Sequence, residues 1–203
     1  TRRSEHEIAR RAGIGLGTNV VSVELRNAQA AIQTDPWIER ATVSRELPGT
    51  IRIAVVEREA RILSSIGGEL FLVDRRGEPF KRFESGDPFD LPVATGIEPE
   101  LVARDRAGAT ERLRLAIEAL EALESGGLAV RFPVQELHLG ADASVTATVG
   151  TAAVTLQLGR PPYRDKAARA ERVLAEVARR QAQPAVVFLD NDAHPERVVV
   201  RMQ

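Results

Sequence analysis

Apolar residues recur along this chain in two rhythms. Ile51, Ile53 and Val55 alternate with Arg52, Ala54 and Val56, the period-2 pattern of a strand with one buried face. The run 38–47 reads as a partner strand, and Pro48-Gly49 between the two is a turn signal. Upstream the rhythm is helical. Ser4, with Glu7 three residues on, has capping-box spacing. This predicts a helix through 8–12 that stops at Gly13. Ser22 is placed to cap a second helix, with Val23, Ala30 and Ile32 among its apolar positions. Asp35-Pro36 ends that helix, because proline has no amide hydrogen to donate. The first segment therefore reads helix, helix, strand, strand over residues 1–58. That is small for an independent core, and an upstream strand missing from this stretch would help complete it.

Beyond Arg61 strands dominate. Residues 70–74 read as a strand, Arg75-Arg76-Gly77-Glu78 as a turn, and 79–83 as the second arm of a hairpin. The Pro- and Gly-rich stretch 86–99 reads mostly as loop. A helix is predicted within 108–126, with Leu113, Ile117, Leu120 and Glu124 on one face and Gly126-Gly127 as its stop. Strands follow near 134–139, 143–149 and 152–158, the last two joined by a tight turn at Gly150-Thr151. Residues 163–182 form an amphipathic helix with Ala170, Val173, Leu174 and Val177 on its buried stripe. Two last strands, 185–190 and 197–202, close the chain as a hairpin. The expected fold class is α+β: two helices on a small sheet over 1–58, then a strand-rich β domain with two helices over 59–203.

Composition narrows the functional classes. The net charge of -1 provides no basic field for nucleic acid. Aromatic residues are only 4%, so the cores must be built from Val, Leu, Ile and Ala. With no cysteine, disulfides, thiolate chemistry and Cys-ligated zinc are excluded. No apolar run is long enough to span a bilayer. The opening at Thr1, in a polar segment without signal-peptide character, reads as the start of a fragment.

Candidate chemistry is sparse. Gly13, Gly15 and Gly17 lack G-x-G-x-x-G spacing and read as a helix–helix connector rather than a phosphate cradle. His6, His138 and His194 are far apart, with no metal-ligand neighbour at i+4. Asp190-Asn191-Asp192 resembles the start of a calcium loop but lacks its glycine and distal glutamate. No nucleophile stands in a recognisable setting. Trp37, the single tryptophan, is expected to pack where the strand leaves Pro36. These readings point to a binding scaffold with no catalysis, cofactor or metal.

Several motifs point to a family. The run Asp35-Pro36-Trp37-Ile38-Glu39-Arg40-Ala41-Thr42-Val43, then Leu47-Pro48-Gly49-Thr50-Ile51 and Val55-Val56-Glu57-Arg58, resembles the POTRA domain of the FtsQ/DivIB family of bacterial cell-division proteins. Phe71-Leu72-Val73-Asp74-Arg75-Arg76-Gly77-Glu78-Pro79-Phe80 looks like that family's LVD-x-x-G-x-x-F hairpin. Asp90-Leu91-Pro92-Val93-Ala94-Thr95-Gly96 looks like its LP-x-x-x-G loop. Leu158-Gly159, Tyr163 and Lys166 look like its LG…K segment. The C-terminal stretch departs from the family's VDLRY-x-x-G pattern: it lacks Asp-Leu-Arg and has a longer turn. The resemblance implies a single-pass inner-membrane protein whose extracytoplasmic, periplasmic part this is, with the membrane helix upstream. It also implies a non-catalytic divisome scaffold that binds an FtsB/FtsL-type complex and links early and late division proteins to septal peptidoglycan synthesis. The alternative is a POTRA module of a translocation or secretion system.

The same resemblance places partner binding at the last strand and the helix before it. The expected contact residues are Arg197, Val198, Val199, Val200, Arg201 and Met202, with Asn191 and Tyr163. A β-branched strand with no later strand to cover it is expected to be a sheet edge open to an added strand. Arg197 and Arg201 would guard it against self-pairing and attract an acidic segment.

Overall fold

The computed structural model describes residues 3–202. The chain falls into two compact units, Thr1–Glu59 and Ala60–Gln203.

In the first unit, α1 spans Glu5–Arg11 and carries the predicted capping box. The Ser4 amide donates to Glu7 Oε2 at 2.8 Å, and the Glu7 amide donates to Ser4 Oγ at 3.3 Å. Helix α2 spans Leu25–Gln33, two residues later than a Ser22 cap would start it. The Ser22 hydroxyl is already spent on Asn19 O at 2.9 Å, so it does not cap the helix. Arg45 instead organises the approach to α2. Its guanidinium donates to the carbonyls of Val20, Val21 and Val23, at 2.7, 3.1 and 2.8 Å. Strands β1 (Ile38–Glu46) and β2 (Thr50–Glu57) form an antiparallel pair. Ala28 and Ile32 of α2 pack with Ile38, Ala41 and Val43 of β1, and half-buried Ile51, Ile53 and Val55 close over them.

The second unit is built on a nine-stranded mixed sheet. Its strands are β3 (Ala60–Ile66), β4 (Glu69–Asp74), β5 (Pro79–Arg82), β6 (Val93–Ile97), β7 (Val134–Leu139), β8 (Val145–Val149), β9 (Val154–Gly159), β10 (Pro184–Phe188) and β11 (Val199–Met202). They lie in the order β11-β10-β9-β8-β7-β6-β3-β4-β5. The stretch 86–99, expected to be loop, contributes β6, which runs parallel to both β3 and β7. The expected pair of helices is present as α4 (Arg106–Ser125) and α6 (Arg164–Arg179). Two short helices, α3 (Pro99–Arg104) and α5 (Leu128–Arg131), are additional. The core joins Leu113, Ile117, Leu120 and Leu123 of α4 and Ala170 and Leu174 of α6 to Leu137, Ala147, Leu156 and Val187 from the sheet. Leu and Val carry most of it, as the scarcity of aromatic residues requires.

Candidate functional site

The sheet has two ends, and they differ. At one end β5 is four residues long and begins with Pro79, which cannot donate to a neighbour. Its Lys81 ammonium is clamped by Asp87 at 2.6 Å and Glu84 at 2.8 Å. These are devices that blunt an edge. At the other end, among the described residues, β11 pairs only with β10. Val199 is 61% exposed and Met202 44%. Val198 and Val200 lie half-buried against the main core, so one face of the strand is anchored while the other remains open.

Hydrogen-bond parity fixes which backbone groups of β11 look outward. The Leu189 amide donates to Gln157 O of β9 at 2.9 Å, so Leu189 and Val187 direct their polar groups to β9. Successive residues alternate, so Val186 and Phe188 direct theirs to β11. Their register partners are Arg201 and Val199. Val199 and Arg201 therefore bond inward, and Val200, with its neighbours Val198 and Met202, presents its backbone groups to the outside.

The connection from β10 to β11 is held from below. Lys166 of α6 is only 3% exposed. Its ammonium donates to Arg160 O at 2.7 Å and pairs with Asp192 Oδ1 at 2.9 Å. A lysine on the buried stripe of a helix needs such partners to offset its desolvation. The sequence offered that signal, four residues before Ala170, without indicating the partner. Asn191 lies in the same connection, exposed, and its Oδ1 accepts from the His194 amide at 3.1 Å. Arg197 and Arg201 are both exposed, Arg197 with Glu196 at 3.9 Å.

Tyr163 does not belong with these residues. It is 1% exposed and part of the core, so its side chain is not offered to a partner. Burial pushes its phenol well above the usual range, and its hydroxyl finds no hydrogen-bond partner among the described residues. The residue precedes α6 and packs; it does not read a ligand.

Elsewhere, His138 Nδ1 lies 2.9 Å from Thr95 Oγ1, whose hydroxyl is also 2.7 Å from Glu136 Oε1. No group of three or more His, Cys, Asp or Glu among the described residues is arranged to hold a metal ion. Trp37 is buried, and its amide donates to Asp35 Oδ1 at 3.0 Å.

Comparison with known proteins places this architecture. The model of the POTRA domain, FtsQ-type, matches residues 1–58, and that of cell division protein FtsQ/DivIB, C-terminal, matches residues 62–190. The cell division protein FtsQ of Anaeromyxobacter sp. (strain K) is 32% identical over 204 residues, covering 100% of this chain and 68% of that protein. That of Myxococcus fulvus is 31% identical over 201 residues, 99% of this chain and 70% of its own length. That of Geotalea daltonii is 32% identical over 196 residues, 96% and 70%. With both domain models matched in order and relatives aligned along the whole length, the chain belongs to the FtsQ/DivIB family of cell-division proteins.

Proposed function

We propose that this chain is a non-catalytic scaffold of the division machinery that binds an FtsB/FtsL-type complex by accepting a strand onto β11. In this way it helps link early and late division proteins and control septal peptidoglycan synthesis. It acts from the extracytoplasmic side, tethered by a membrane helix outside this stretch. No helix among the described residues is long and apolar enough to cross a membrane.

The observation that carries the reading is the free, partly apolar edge at β11, opposite the blunted edge at β5. An extended peptide can satisfy the outward amide and carbonyl groups of β11. Each added backbone bond contributes about 0.5–1.5 kcal/mol net. Four or five, with a side chain or two in apolar surroundings, yield micromolar binding after ordering costs.

The test exploits the parity of the strand. Val200→Pro removes an outward donor and should abolish binding of the extracytoplasmic segment of the FtsB-type protein from the same bacterium, with the circular dichroism spectrum unchanged. Val199→Pro removes an inward donor and should loosen β11 from β10, seen as faster amide exchange along β10 and β11. Normal binding by a folded Val200→Pro variant would place the site elsewhere.

A further inference from the structure

One flank of α6 carries a half-buried arginine, Arg169, whose guanidinium pairs with no other described residue. Ala167, Ala170 and Leu174 form the helix's buried stripe. Glu171 reaches toward Gly126 and Gly127 at the α4–α5 junction. Each residue turns a helix by about 100°, so Arg169 lies on the opposite flank from Glu171, on the far side of Ala170. Lys166, three residues earlier on that same flank, reaches Asp192 in the connection that leads into β11. Helix α6 packs over β9 and β10, and β11 is the next strand out. Arg169 thus sits along the β11 side of the helix.

Its surroundings are unusual. Arg169 is half-buried, and its Nε is shielded from solvent with no hydrogen-bond partner. Arg61 and Arg112 also have an unpartnered Nε, but their terminal nitrogens are engaged, by Glu124 and by Gly140 O. The Arg169 guanidinium makes no hydrogen bond or ion pair with any other described residue. A buried donor left unmatched costs free energy unless something else supplies the acceptor.

A strand added to β11 would place one there. Residues opposite one another across a strand pair share a face. Val198 and Val200 face the core side, where α6 lies. The added residue beside either of them therefore projects its side chain to the face that α6 covers, and half-buried Val173 lies on the same flank of the helix as Lys166 and Arg169.

We propose that Arg169 reads a carboxylate on the segment bound at β11. The segment carries an Asp or Glu beside Val198 or Val200, with an apolar residue two positions away over Val173. The planar guanidinium fork suits a carboxylate held in one geometry. This rests on β11 being the docking edge and adds the side-chain chemistry that selects what docks there.

The test uses the whole chain and the same labelled segment that probes β11. Arg169→Gln should weaken binding about 10-fold, the loss of one charge-assisted hydrogen-bond pair, while the melting temperature holds or rises. Arg169→Lys should restore part of the loss. Changing the segment's carboxylate to the amide should cost the same factor against the native chain and nothing further against Arg169→Gln. Two results overturn the proposal and leave the edge standing. One is unchanged binding by Arg169→Gln when Val200→Pro abolishes it. The other is an equal loss whether or not the segment carries the carboxylate, which marks a purely structural role. If Val200→Pro binds normally, the docking edge fails and the role of Arg169 fails with it.

Discussion

Asp35 shows how much one side chain can organise. It is 2% exposed, yet charged. Arg3 Nε lies 2.7 Å and Arg11 3.3 Å from its carboxylate, and the Trp37 amide donates to it. It thereby ties α1 to the junction of α2 and β1. Burial pushes its carboxyl up, but the hydrogen bonds from Arg3 and Trp37, with the charges of Arg3 and Arg11, outweigh burial and hold it below the usual range. A depressed folded-state value means stability present above the unfolded value, about 3.9, and lost as pH falls through the folded one. Asp35→Asn should therefore destabilise the first unit by about 1.5–3 kcal/mol near neutrality, the range for hydrogen bonds to a charged group. Unfolding followed by Trp37 fluorescence should show a constant gap between the two proteins down to about pH 5 and a shrinking one below about pH 4. A gap that persists undiminished in acid would mean that shape rather than charge holds the contact. The sequence offered Asp35 only as a helix terminator before Pro36; its pairing with residues 24 and 32 positions upstream is a product of the tertiary fold.

At the scale of elements, most strands were legible, including β4 and β7 to β10 inside the large sheet, whereas β3 and β6 were not. The alternation at Ile51, Ile53 and Val55 predicted β2, and the capping box predicted α1. Strand β6 was hidden because both its neighbours are parallel strands and it carries Pro92 before it and Gly96 within it. Proline and glycine read as loop signals when the chain is scanned locally. The structure gives Gly96 another reason. It has φ +85°, and a Cβ there would collide with the Leu139 carbonyl oxygen. Gly77, in the hairpin before β5, has φ +80° and would meet Thr110 O of α4. Both glycines are needed for close backbone approach. Gly96→Ala should destabilise the second unit by more than the roughly 1–2 kcal/mol of left-handed strain alone, since the β6–β7 pairing must also move. Urea unfolding of the variant checks this. A loss no larger than the strain would mean the two strands have slack. The Ser22 cap failed for a related reason: a hydroxyl can be spent on a nearby carbonyl before the helix starts.

For the whole molecule, what the sequence could not display is strand order. Parallel neighbours such as β9 and β10, or β3 and β6, meet only through crossovers, and no local pattern marks them. On the docking proposal that order matters, because it leaves β11 outermost among the described strands and puts α6 beside it. A net charge of -1 gives the chain little net long-range field, so on the docking proposal selection rests on the edge and its adjoining side chains, Arg197 and Arg201 included. All of those groups belong to the second unit: Lys166 and Arg169 on α6, Asp192 in the connection, and β11 itself. The second unit also has its own extensive core, whereas the first is near the size at which a core becomes marginal. We therefore expect residues 60–203, produced alone, to fold and to bind the FtsB-type segment about as tightly as the whole chain. Residues 1–59 alone should unfold with low cooperativity and bind none of it. Thermal unfolding and a binding titration on the two fragments measure this directly. If 60–203 folds, with β11 amides as protected from exchange as in the whole chain, yet its affinity drops about 10-fold, a loss of roughly 1.4 kcal/mol, then the first unit supplies contacts and the partner spans both. If affinity is kept, the first unit is free to serve a different partner, and the scaffold has one binding surface per domain to offer.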